Sequence, residues 1–144
     1  MVGAMSEHPL DLSARLIDGG VVDTPPNRTT QELSELADGI ALVESFSHAV
    51  AVNTGDGTVV FDTSNYQSGS AVVEALRTWS TNPVHSIVYT HGHLDHVGGS
   101  RFFAEAATDA GHSAPRVIGH ERVAARFARY NYTCLLYTSD AADD

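Results

Sequence analysis

Val84-His85-Ser86-Ile87-Val88-Tyr89-Thr90-His91-Gly92-His93-Leu94-Asp95-His96-Val97-Gly98-Gly99 is the stretch on which the reading of this chain turns. Its first six residues form a β-branched and aromatic run of the kind that makes a buried strand. Where that run stops, three His and one Asp crowd into positions 91–96. Imidazole and carboxylate are ligands that zinc accepts, and core packing does not explain four of them side by side. Neighbouring imidazoles repel one another once protonated, so a divalent cation is the natural group to favour their neutral forms. The plain alternative is a solvated His-rich loop that binds no metal.

The spacing carries geometry. His91 and His93 lie two residues apart, so on an extended backbone they point the same way and can grip one ion. Asp95 and His96 are adjacent and would diverge on a strand, but at the mouth of a helix both can reach a second ion. Gly98 and Gly99 are expected to permit a close turn, with Ser100 as the helix N-cap. Phe102, Phe103, Ala106, Ala107 and Ala110 then follow at helical spacing, and Gly111 closes the pattern. Strand, ligand-bearing loop and helix is the order in which α/β sheets place chemistry at the carboxyl ends of their strands.

Upstream of the motif, Ala71, Val72, Ala75, Leu76 and Trp79 make one apolar helical face that ends before Pro83. Before it, residues 39–45 and 48–53 are strand-like, and Gly55-Asp56-Gly57 turns tightly into the strand 58–62. Downstream, Arg116-Val117-Ile118-Gly119 is a strand, and Val123, Ala124, Phe127 and Tyr130 lie on a helix. The chain from Met1 to about Gln31, with Pro25-Pro26, is weakly patterned and is expected to be an extended arm. The expected organisation is therefore an arm at 1–31, a partial α/β domain at 32–133 and a tail at 134–144. A β-meander comes first in that domain, then alternating helices and strands.

A chain of 144 residues holds at most one domain, and 42% apolar residues suffice for a core. The formal net charge of -10 argues against nucleic acid as a partner. No run is long and apolar enough to cross a bilayer, and no basic segment leads into an apolar one, so no membrane is expected and the expectation is a cytoplasmic protein. All eight basic residues are Arg. No G-x-S-x-G elbow exists and Cys134 is the only cysteine, so covalent catalysis through Ser, Thr or Cys has no support.

The pattern H-x-H-x-D-H at 91–96 resembles the metallo-β-lactamase superfamily, over roughly Leu33 to Thr133. The resemblance implies an α/β fold that is the first half of an αββα sandwich and therefore incomplete. It implies that His91 and His93 bind a first metal and that Asp95 and His96 bind a second, Asp95 also being the catalytic carboxylate. Two zinc ions, with iron or manganese as other options, would then activate a hydroxide against a small-molecule substrate. Asp62, ending a V-x-F-D-T-like element, would support the ligands from behind through hydrogen bonds. The plain reading of Asp62 is a carboxylate that caps the next turn. Val117-Ile118-Gly119-His120-Glu121 and Arg126-Phe127-Ala128-Arg129-Tyr130 look most like the alkyl-sulfatase-type branch, which suggests an ester-type bond: a sulfate ester, lactone or thioester.

The resemblance also implies three further ligands: a later His for the first ion, a bridging Asp, and a final His for the second. After the motif this chain has only His112 and His120, and no Asp between Asp109 and Asp140. His120 is expected to open a helix, and His48 and His85 to be ordinary packing or surface residues. His112 reads as solvated, and His8 in the arm carries no signal. Residues 134–144 read as a non-native tail similar to translated sequencing-adaptor read-through. The expectation is a metal-dependent hydrolase in which this fragment alone is inactive. Two competing expectations stand beside it: a non-catalytic metal-binding fragment, and a single-iron dioxygenase of the same fold.

Overall fold

Alternating apolar residues build a six-stranded sheet whose strands lie side by side in chain order: β1 (Leu33–Ala37), β2 (Ile40–Val43), β3 (Ala49–Thr54), β4 (Gly57–Phe61), β5 (Val84–Val88) and β6 (Arg116–Ile118). The computed structural model describes residues 6–130 and residue 132. The expected tail at 134–144, with Cys134, lies outside the described residues. Neighbours from β1 to β4 are antiparallel, whereas β4, β5 and β6 run parallel. Parallel neighbours need crossovers. The first is α2 (Gly69–Trp79), and the second contains the single turn α3 (Leu94–Val97) and then α4 (Ser100–Asp109). Helix α5 (Val123–Arg129) follows β6.

One row across the sheet reads Ala41, Ala51, Val60, Ile87 and Val117, the first four of them buried. On this face Val43, Ala49, Ala51, Val60 and Ile87 pack against Val72, Val73 and Leu76 of α2 and Phe103 of α4, forming the core. The apolar stripes expected on α2 and α4 are thus the faces that meet the sheet. The adjacent row, Leu42, Val50, Phe61, Val88 and Ile118, points the other way and is half-buried to exposed. The sheet therefore has one covered and one partly open apolar face. Among the described residues, no helix is long and apolar enough to cross a membrane.

The sequence-derived elements from residue 39 onward recur within a residue or two. Two expectations need correction. The lead-in is not an extended arm throughout, because Pro9–Gly19 is a helix, α1, with Leu12 and Leu16 buried one turn apart. Its ends follow ordinary capping chemistry: Pro9 occupies the first position, the His8 ring accepts from the Leu10 N–H, and Gly20 closes the helix at φ 61°. The other ring nitrogen of His8 meets the Glu35 carbonyl at 3.1 Å, tying α1 to β1. The second correction concerns Ser100, which is the first residue of α4 rather than its cap; Gly99 takes the capping position. The Ser100 hydroxyl donates instead to the Val97 carbonyl at 2.8 Å.

Candidate metal centre

Where β4 ends, Asp62 and Ser64 adopt left-handed backbone angles, φ 58° and 62°. Non-glycine residues rarely do so, and each costs about 1 kcal/mol or more. The surroundings account for that cost. The Thr63 N–H donates to the His96 carbonyl at 2.7 Å, and Gly99 N–H donates to the Ser64 carbonyl at 3.1 Å. This corner therefore grips the C-terminal end of α3 and the turn that follows it. Gly99 has an ordinary φ of -80°, so no special angle requires glycine there. What requires it is contact: a Cβ would overlap the Thr63 carbonyl oxygen and sit 2.9 Å from the Gly69 Cα. The glycine pair forms the turn expected of it between α3 and α4, and close packing is what requires glycine at position 99.

Asp62 is buried at 4% exposure and accepts three hydrogen bonds. They come from the Thr90 N–H at 2.9 Å, the Thr90 hydroxyl at 2.6 Å and the His96 Nδ1 at 2.7 Å. An ionised carboxylate only accepts, so His96 carries a proton on Nδ1, and the neutral form of the ring therefore has its Nε2 lone pair bare. The same reasoning reaches His91, whose Nδ1 lies 3.0 Å from the Thr90 oxygen. The single Thr90 proton already goes to Asp62, so His91 must donate its Nδ1 proton to Thr90. One carboxylate thereby sets two tautomers and leaves two Nε2 atoms free, the arrangement by which carboxylates orient metal-binding imidazoles.

The four motif side chains come together. The His91 ring centroid lies 4.1 Å from that of His96 and 4.4 Å from that of His93. His96 Nε2 stands 3.5 Å from Asp95 Oδ2. Two ligands on one tetrahedral zinc, each bonded at roughly 2.0–2.1 Å, are about 3.3–3.4 Å apart, so this pair is nearly at ligand spacing. Ser47, in the β2–β3 loop, donates to the same Asp95 oxygen at 2.8 Å. Burial works against the charged Asp95 carboxylate, but the Ser47 hydroxyl, its own backbone N–H and nearby His96 and His93 hold it below the usual carboxylate range.

His93 is different. Its Nε2 lies 2.9 Å from a guanidinium nitrogen of Arg126, on α5. The Arg126 stem rests on the motif backbone, where a Cβ at Gly92 would meet Arg126 Cβ and Cγ at 3.3 Å. Tyr130 flanks the guanidinium, with its hydroxyl at 3.4 Å and its ring centroid at 5.2 Å. Among the described residues, no three His, Cys, Asp or Glu side chains are arranged to hold an ion as they stand. In chemical type the donors suit a metal, and the Asp95–His96 pair suits it in spacing. The engaged His93 does not.

The remaining histidines take ordinary places. His120 caps the approach to α5, accepting from the Arg122 N–H at 3.2 Å, while His48 contacts the Ser45 carbonyl and His85 the Ser86 hydroxyl. Ser47 carried no signal in the sequence, and the stretch that begins at Arg126 gave only a branch resemblance, because both residues reach the motif only through the fold. A cavity of about 320 Å³ lies elsewhere, lined by Leu76, Trp79, Val84, Phe103 and Ala106. It opens at the start of β5, whereas the motif follows the end of that strand, so the candidate site is an open edge and not this cavity.

Residues 42–127 match the Metallo-beta-lactamase superfamily. No curated protein matches the chain. Among solved structures, a Cronobacter sakazakii metallo-β-lactamase with a HARLDQ motif shares 21% identity at a TM-score of 0.58, covering 72% of this chain and 38% of its own. A B3 metallo-β-lactamase with an active-site glutamic acid shares 24% identity at a TM-score of 0.53, covering 68% of this chain and 36% of its own. A double mutant of the sec-alkyl sulfatase PisA1 shares 25% identity at a TM-score of 0.49, with 60% and 14% covered. The chain thus spans less than two-fifths of each of these structures.

Proposed function

The chain belongs to the metallo-β-lactamase superfamily, and on that premise we propose that residues 91–96 are the metal-binding motif of a di-zinc hydrolase acting on an ester-type bond. The observation that carries this reading is the Asp62 relay, which leaves the Nε2 atoms of His91 and His96 bare, that of His96 at 3.5 Å from Asp95. A solvated loop has no use for a buried carboxylate that fixes two tautomers. Zinc, when bound, would supply acidification of water to a pKa near 7 and polarisation of the scissile group.

The residues of this chain hold and orient. His91 and His93 would face the first ion, and Asp95 and His96 the second. Asp62, reaching His91 through Thr90, prevents either ring from turning its protonated nitrogen inward. Ser47 keeps the Asp95 carboxylate aimed at the same place. A sulfate ester, lactone or thioester is the proposed bond class, with the sulfate ester preferred on the strength of the stretches 117–121 and 126–130.

By itself the chain is proposed to be inactive, since each catalytic zinc needs about three protein ligands and the motif supplies four for two ions. Assaying aryl sulfates, lactones and thioesters with excess zinc, in this chain alone and in an extended protein that contains it, tests this. Turnover should appear only in the extended protein and fall by orders of magnitude in His93→Ala. Unchanged turnover in that variant would refute the reading. The absence of a three-donor set among the described residues favours a second reading, a piece that binds one metal without catalysis. Metal content separates them, at about two ions per extended chain against one or fewer. Bound iron with oxygen uptake would indicate a dioxygenase instead.

A further inference from the structure

We infer that Arg126 is a latch on His93, holding that imidazole in a state that cannot bind metal until an arriving ion displaces the guanidinium. This rests on the reading of 91–96 as a metal motif. A guanidinium stays charged and offers only donors. At 2.9 Å from Arg126, His93 Nε2 must therefore be the acceptor. A neutral imidazole that accepts at Nε2 carries its proton on Nδ1, so neither nitrogen has a lone pair to spare. Ligation through Nε2 would take the lone pair that Arg126 uses. Ligation through Nδ1 would move the proton to Nε2, setting two donors face to face. Metal at His93 and guanidinium at His93 exclude each other whichever nitrogen binds.

The contrast with the other two rings makes this specific to His93. Asp62 and Thr90 engage His91 and His96 at Nδ1, on the side away from their bare Nε2 atoms. The displaced guanidinium also has somewhere to go. Tyr130, one turn along the same helix, offers its hydroxyl at 3.4 Å and its ring face at 5.2 Å. The stem need not move, since its first carbons lie against Gly92. Arg126 and His93 are both exposed, so the latch is weak and reversible. Its removal should strengthen zinc binding by about three- to tenfold, the range for one hydrogen bond of modest net worth.

The test compares the wild-type chain with Arg126→Gln and Arg126→Lys in zinc titrations against a competing chelator, together with the 15N shifts of the His93 ring in the metal-free protein. Wild-type His93 should show the Nδ1–H tautomer, Arg126→Gln should lose that preference and bind zinc about three- to tenfold more tightly, and Arg126→Lys should fall between. Equal or weaker zinc binding by Arg126→Gln, with binding itself intact, would overturn the latch and leave the metal motif standing. Failure of wild type and variants alike to bind zinc would overturn both.

Discussion

His93 and His96 stand three residues apart in one motif, yet the fold treats them in opposite ways. His96 faces a buried carboxylate on the strand side, and His93 faces an exposed guanidinium on the side of α5. The strand side is dense: left-handed corners, a glycine with no room for a Cβ, and a relay that ends in Asp62. On the α5 side the contacts are made by exposed, long side chains that can move. Orientation of a metal-binding ring thus needs a rigid partner on the nitrogen that does not ligate. A flexible partner on the other nitrogen can only compete.

The largest effect expected from breaking this contrast lies at the tightest contact. Gly99→Ala should destabilise the chain by about 3 kcal/mol, because the new methyl meets backbone on both sides. Urea unfolding monitored by far-UV circular dichroism would show it; a midpoint within error of wild type would mean that the strand side is looser than described. Asp62→Asn should follow, at about 2 kcal/mol, with zinc affinity lowered ten- to a hundredfold as an amide replaces the acceptor that fixes two rings. Calorimetric zinc titration would measure this, and an unchanged affinity would detach Asp62 from the metal motif.

Smaller effects sharpen the contrast. Ser47→Ala removes one donor from Asp95 and should cost about 1 kcal/mol or less, weakening zinc binding only a few-fold. The least effect is expected at Arg15, which pairs with Glu7 and Asp23 on the surface of α1 and is, like Arg126, an exposed cation. Its hydrogen bonds hold both carboxyls below their usual range, against the smaller opposing pull of desolvation. Depressed folded-state values mean that this contribution is present above the ordinary carboxylate range and is lost as pH falls through the depressed values. Melting temperatures of Arg15→Gln and wild type should therefore differ slightly at neutral pH and converge in acid. A gap that widens on acidification would reverse the assignment.

What could be read from the sequence follows the same division. The motif, its strand, the helices α2 and α4 and the strand-end Asp62 announce themselves because periodicity and ligand spacing are local properties. Helix α1 had local signals too: Pro9 at its start, the Gly19-Gly20 end, and Leu12 with Leu16 one turn apart. The flanking Pro25-Pro26 and polar residues outweighed them. The role of Gly99 could not be separated from a turn, since contact with Thr63 and Gly69 exists only once two crossovers are folded. Ser47 reaches Asp95 across 48 positions and Arg126 reaches His93 across 33, so no local pattern reveals either.

The central claim is that Asp62, directly and through Thr90, leaves two Nε2 atoms bare for metal, that of His91 for the first ion and that of His96 for the second. Long-range proton–nitrogen NMR of the 15N-labelled chain tests it most directly, recorded before and after zinc addition. His91 and His96 should both carry the proton on Nδ1 in the metal-free protein, and zinc should shift their Nε2 resonances alone. Protons found on Nε2 of these rings, or Nε2 resonances unmoved by zinc, would contradict the claim.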